Sequence, residues 1–156
     1  MYDDTIDRCE AFISFYAEHQ PEADALIFEG RKVTYAELQA AIDRCATGLL
    51  QAGVEKGDRV ATLAMPSVDF VVTFFAALSV GAIWQGLNPK YQAAELEYAI
   101  KDAGPTVIFT LDKEGGRAYF EELQTIGEGM SELATIIDLS LGLDAFLHAT
   151  DTGGQW

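Results

Sequence analysis

Base is scarce in this sequence: 10 Lys and Arg stand against 25 Asp and Glu, a formal net charge of −15. A surface this acidic repels nucleic acid and anionic membrane at long range, so a polyanionic ligand would need a local basic spot. Excess acid also keeps ordinary cytoplasmic surfaces soluble. Cysteine and histidine are equally sparse. Cys9 and Cys45 form no CxxC pair, and with only His19 and His148 beside them the sequence offers no metal-ligand cluster. That usage fits a reduced, cytoplasmic setting. The first ten residues, MYDDTIDRCE, lack a basic-then-apolar order, so no signal peptide is expected. Long apolar runs are missing too. Phe70 to Trp84 is uncharged for 15 residues, whereas a membrane-spanning helix needs about 20, and Gly81 splits the run. It reads as a buried helix feeding a buried strand.

Several catalytic signatures are also absent: G-x-G-x-x-G after a strand, G-x-x-x-x-G-K-[ST], G-x-S-x-G and H-E-x-x-H. The tail TDTGGQW has Thr and Gly but no Lys, which makes it a poor phosphate loop.

What is present is the material of one folded domain. Apolar residues make up 49% of the 156, and a chain of this size buries roughly 70% of the surface its unfolded form exposes. An amphipathic helix is expected over 6–19, with Cys9, Phe12, Ile13 and Tyr16 on one face and Pro21 closing it. Residues 24–33 read as a small β-hairpin turning at Glu29-Gly30. Thr34-Tyr35-Ala36-Glu37 matches a capping box, and the helix it opens carries Leu38, Ile42, Cys45 and Leu49 inward before Gly53 ends it. Cys45 is thereby a core residue and not a nucleophile.

From there the pattern repeats. VATLAM is a strand, Pro66-Ser67 restarts a helix that Gly81 ends, AIWQGL is a strand, and Asn88-Pro89 turns into a helix over 93–103. TVIFTL, a helix over 116–125, ATIIDL and a last helix over 142–149 complete the series. Strands alternating with helices over 34–149 indicate a doubly wound α/β fold, a parallel sheet flanked by helices, with the small N-terminal hairpin beside it.

Ligands of such sheets bind beyond the carboxyl ends of the strands, here after Met65, Leu87, Leu111 and Leu139. The loop TLDKEGGR, residues 110–117, is the richest of these. Two glycines allow close backbone approach, Lys113 and Arg117 add base, and the helix expected at 116 would present free amides to an anion. Asp112 and Glu114 cancel much of that charge. On the residues alone the loop is either a structural β-to-α turn or an anion site.

Two segments carry a family resemblance. VTYAEL, followed by GLLQAGVEKGDRVATLAMPSVDFVV, resembles the first core motif of the adenylate-forming superfamily, the AMP-dependent acyl-CoA synthetases, luciferases and peptide-synthetase adenylation domains. FFAALSVGAIWQGLNPKYQAAELEYAIKDAGPTVIF is similar to the second, and the likeness covers roughly residues 10–112.

The resemblance implies a partial, N-terminal portion of that fold, and a parent that activates a carboxylate with Mg-ATP to an acyl-adenylate and passes the acyl group to coenzyme A. The family's phosphate loop with its Lys, its aromatic-Gly-x-Thr-Glu motif and its lid lysine do not occur in the sequence. The resemblance therefore implies one subdomain, left by shortening or proteolysis, with the remainder of the ligase absent and no activity alone. Thr34, Tyr35, Glu37, Gly81 and Asn88 are read as caps and turns, and no catalytic or metal-binding residue is assigned. Gly116 and Arg117, with Lys113, are the implied contacts to the nucleotide part of coenzyme A.

The expected partners are a carboxylic acid, coenzyme A and the missing C-terminal portions. Their absent docking would leave an apolar face open to self-association. No nucleic acid or integral membrane segment is expected. The alternatives are a self-contained, non-catalytic α/β binding or interaction module and a small nucleotide-binding protein of flavodoxin type.

Overall fold

The local signals at 23–37 set the entrance to the fold. In the computed structural model, which describes residues 8–111, 113–114, 116–130, 135–143 and 146, helix α1 (Ala11–His19) comes first. Cys9 lies in the turn before α1 and is exposed, which corrects its placement on the helix's apolar stripe. Ile13 of that stripe packs on the core, and Tyr16 stacks on Tyr35 at 5.1 Å between ring centroids. Strands β1 (Asp24–Phe28) and β2 (Arg31–Thr34) form an antiparallel hairpin. At its turn Glu29 and Gly30 both take positive φ, 49° and 80°. Such a turn twists with its strands, and Gly meets it without Cβ strain.

Thr34 then serves two elements. Its hydroxyl accepts from the Glu37 amide at 3.2 Å and its own amide donates to Glu37 Oε2 at 2.9 Å, starting helix α2 (Tyr35–Gln51). Leu38, Ile42, Cys45 and Leu49 are all buried along one side of α2. Strand β3 (Arg59–Leu63) leads to helix α3 (Val68–Ser79), capped by the Ser67 hydroxyl on the Phe70 amide. Strand β4 (Ile83–Leu87) leads to helix α4 (Ala93–Ala103) and strand β5 (Val107–Thr110).

After β5 the chain departs from expectation. Instead of a helix from residue 116 there is a second hairpin of two-residue strands, β6 (Lys113–Glu114) and β7 (Arg117–Ala118), and helix α5 runs Tyr119–Gly127. Gly116 sits at φ +85°, a turn conformation and not a helical one. Strand β8 (Thr135–Asp138) and a 3-10 turn (Leu139–Leu141) follow. Most of the helix expected over 142–149, and the start of the one expected from residue 6, lie outside the described residues.

The sheet order is β4-β3-β5-β8, parallel throughout. Alternate residues of its middle strands face opposite layers. Val60, Val107, Phe109 and Ile137 join the core made with α2 and α3, while Ala61, Leu63 and Ile108 join the one made with α4 and α5. Covering on both faces explains why these strands read as unbroken apolar runs. The crossover through α3 goes to one side of β3 and the one through α4 to the other, so the winding reverses between β3 and β5. There the Thr110 hydroxyl donates to the Leu63 carbonyl at 3.2 Å, joining the carboxyl ends of the two strands. Among the described residues no helix is long and apolar enough to cross a membrane.

Candidate functional site

The loops leaving β3 and β4 border a shallow, open pocket of about 410 Å3 at the carboxyl rim of the sheet, lined by Met65, Pro66, Phe70, Gly86, Pro89 and Lys90 among others. Behind the Phe70 side of the pocket, a chain of hydrogen bonds and ring contacts ties α3 to β3 and β4. Trp84 Nε1 donates to Thr62 Oγ1 at 3.1 Å, Thr62 Oγ1 lies 3.1 Å from Thr73 Oγ1, and the Thr73 hydroxyl donates to the Phe70 carbonyl at 2.9 Å. Thr62 and Thr73 are fully buried, so each hydroxyl needs the partner it has. Phe70 and Phe74 meet the Trp84 ring edge-on at 5.3 and 5.1 Å, an arrangement favoured by the ring quadrupoles. The outcome is an apolar wall with one exposed cation, Lys90, at its mouth.

The hairpin β6–β7 reaches this rim from the other side of the winding reversal. Lys113 pairs with Ala118 in it, and Gly116 is exposed at the turn, where among the described residues nothing beyond its chain neighbours comes within 4 Å of where a Cβ would stand. Arg117 does not point its guanidinium into open solvent. Nε donates to Glu122 Oε2 at 2.7 Å and Nη2 to Glu122 Oε1 at 2.6 Å, the two-pronged pairing that suits a planar guanidinium. Nη1 donates to the Pro89 carbonyl at 3.1 Å and to the Tyr91 carbonyl at 2.6 Å. Its carbon lies 4.9 Å from the centre of the Tyr119 ring, and the Tyr119 hydroxyl donates to the same Pro89 carbonyl at 2.9 Å. The bond to Glu122 pushes the Arg117 pKa above even its usual high value, so the charge is permanent.

The structure thus brings Lys113, Gly116 and Arg117 together on one hairpin, but the helix amides expected to face an anion are not there. Helix α5 begins two residues beyond Arg117 and carries Glu121 and Glu122 in its first turn, where their charge disfavours an anion. Asp112 lies outside the described residues. Glu122, Tyr119 and the Pro89 carbonyl are not visible as a group from the sequence, because Tyr119 lies 30 positions from Pro89 and Glu122 further still.

Burial, with a smaller contribution from Asp69, pushes the Cys45 thiol up to about 12, which makes it inert. Among the described residues no group of three or more His, Cys, Asp or Glu could hold a metal ion. Among the described residues there is thus no all-protein cage for a magnesium ion.

The profile of the AMP-binding enzyme family matches residues 14–150. The chain belongs to that family. The medium-chain acyl-CoA ligase ACSF2, mitochondrial, of Bos taurus is 37% identical over 124 residues, covering 78% of this chain and 20% of that protein. The o-succinylbenzoate CoA synthetase of Bacillus subtilis, solved with its acyl-adenylate intermediate, superposes with a TM-score of 0.70 at 28% identity, over 88% of this chain and 32% of that one. The anthranilate CoA ligase AuaEII, solved with anthranoyl-AMP, has a TM-score of 0.79 at 20% identity and shares the fold, over 89% of this chain and 26% of that one. The chain spans about a fifth of the length of the curated relatives it matches. Its doubly wound unit is a part of the adenylate-forming fold.

Proposed function

We propose that these 156 residues are the N-terminal scaffold of an acyl-CoA ligase. In the reaction proposed for the parent, a carboxylate oxygen attacks the α-phosphorus of ATP and pyrophosphate leaves. The thiol sulfur of coenzyme A then attacks the acyl carbon, AMP leaves, and the thiol proton passes to solvent. The observation that carries this reading is the family match over residues 14–150, with the 37% identity to a medium-chain acyl-CoA ligase beside it. ATP and Mg²⁺ would be held by portions of the parent beyond these residues, so the isolated chain is expected to be inactive.

The contribution of this chain is the rim. The hairpin tip and the adjoining pocket are proposed to take the nucleotide part of coenzyme A. Gly116 offers exposed backbone, Lys113 a cation from the same hairpin, and Arg117 the one N–H of its five that its four internal bonds leave over. Exposed Ile83, on the outer strand β4, and exposed Tyr98, on α4, suit burial by the rest of the parent, and the isolated chain is expected to self-associate through such surface. Unpaired cysteines support a reducing compartment, with the cytoplasm as the working assignment.

The test is a product assay on the complete gene product. Incubation with ATP, Mg²⁺, coenzyme A and a panel of carboxylic acids, beginning with medium-chain fatty acids, should give an acyl-CoA detectable by mass spectrometry. A complete chain that yields no thioester with any acid tried would count against the assignment.

A further inference from the structure

We propose that Arg117, Tyr119 and Glu122 form a clasp that fixes the loop 88–91 at the carboxyl rim, so that Glu122 and Arg117 are positioning residues for the pocket this loop helps to line. The proposal rests on the ligase reading only for the ligand's name. Its evidence is the way the loop is held. Inside the loop there are two short bonds, the Tyr91 amide to the Asn88 carbonyl and the Lys90 amide to Asn88 Oδ1, both 2.9 Å. Among the described residues, the other bonds to its carbonyls come from the far hairpin and helix: Pro89 accepts from Arg117 and Tyr119 together, and Tyr91 accepts from Arg117. Two donors use both lone pairs of the Pro89 carbonyl, and the guanidinium is itself fixed in plane by Glu122.

None of the three clasp residues lines the pocket, whereas Pro89 and Lys90 do. Apart from the one N–H that Arg117 has left over, their influence on a ligand in the pocket passes through the loop.

Glu122 separates this role from a direct one by sign. If Arg117 chiefly contacted an anionic ligand, Glu122→Gln would relieve a competing carboxylate and lower the KM for coenzyme A. As a clasp, the same change weakens the hold on the guanidinium, loosens the loop and raises that KM.

The experiment has two arms. In the first, hydrogen exchange of the chain is followed in wild type, Glu122→Gln and Arg117→Lys. The clasp predicts faster exchange at Lys90 and Tyr91 by about tenfold, the loss expected for one charge-assisted hydrogen bond. The amides of Ala61 and Ile108 in the middle strands should keep their protection in both variants. Should Glu122→Gln not fold, Arg117→Lys still decides, because one ammonium cannot reproduce the fork to Glu122 and the two carbonyls. In the second arm, the complete gene product carrying Glu122→Gln should show a KM for coenzyme A raised by more than kcat falls. Unchanged exchange at Lys90 and Tyr91, or a lowered KM, overturns the clasp. A gene product with no ligase activity would sink the ligase reading and leave the exchange arm to judge the clasp by itself.

Discussion

The indole of Trp84 lies against Gly86, two residues along on the same face of β4, so closely that a Cβ on Gly86 would stand 2.7 Å from Cη2 and 3.0 Å from Cζ3. The ring has little freedom to withdraw, since its Nε1 is bonded to Thr62 and two phenylalanines abut it. Gly86→Ala should therefore cost about 1–3 kcal/mol through overpacking. It should also move the Trp84 near-UV circular dichroism, read in a Trp156→Phe background. A melting temperature and spectrum equal to wild type would show that the ring can shift at no cost.

Thr34 ends β2 and starts α2, and both halves of its capping box are made. Thr34→Ala removes the acceptor for the Glu37 amide and should lower stability by about 1 kcal/mol in urea denaturation. Thr34→Ser, which keeps the oxygen, should restore most of that.

Arg59 joins β3 to the end of α4, donating from Nε to the Ala103 carbonyl and from Nη2 to the Gly104 carbonyl, both at 2.7 Å. A cation at a helix C-terminus satisfies free carbonyls and complements the dipole. Arg59→Met keeps much of the packing but loses the charge, and should destabilise the chain by about 1.5–3 kcal/mol, the range for hydrogen bonds to a charged group. Hydrogen exchange should rise first at the last turn of α4.

The two thiols should differ in reactivity and in their effect on pH stability. In the folded chain, exposed Cys9 should react with a disulfide reagent and buried Cys45 only after unfolding. The Cys45 thiol stands at about 12 in the folded state against 9.0 for the unperturbed group. Its neutral form is thus favoured by folding, and the stability this contributes is fully present below pH 9 and lost as the pH rises towards 12. The slope is at most about 1.4 kcal/mol per pH unit. Cys45→Ala, although less stable at neutral pH, should lose less stability than wild type between those limits. Parallel curves for the two proteins would contradict this.

Much of this fold was legible because its signals are local. Thr34 and Glu37 are three residues apart, the helix of 93–103 has Leu96 and Ile100 on one face and Gly104 at its end, and a strand covered on both sides must be apolar throughout. The hairpin in TLDKEGGR was not legible. Two-residue strands show no periodicity, and a glycine serves the turn of a hairpin as readily as the start of a phosphate-binding helix. The family resemblance and the base it adds to the loop single out Arg117 as a ligand contact, while nothing in the sequence shows that Glu122, five residues on, takes up its guanidinium. Its partners at Pro89 and Tyr91 lie 28 and 26 positions away, and only the crossover through α4 brings them to it. The order of the strands was likewise set by packing beyond any local signal.

The central claim is that this chain is the scaffold of an enzyme that activates a carboxylate with ATP. Its most direct test is exchange of radiolabelled pyrophosphate into ATP, which reads the first half-reaction without coenzyme A. The complete gene product should exchange label only when a carboxylic acid and Mg²⁺ are both present, and residues 1–156 alone should exchange none. Exchange by the isolated chain, or none by the complete product with any acid, would contradict the account.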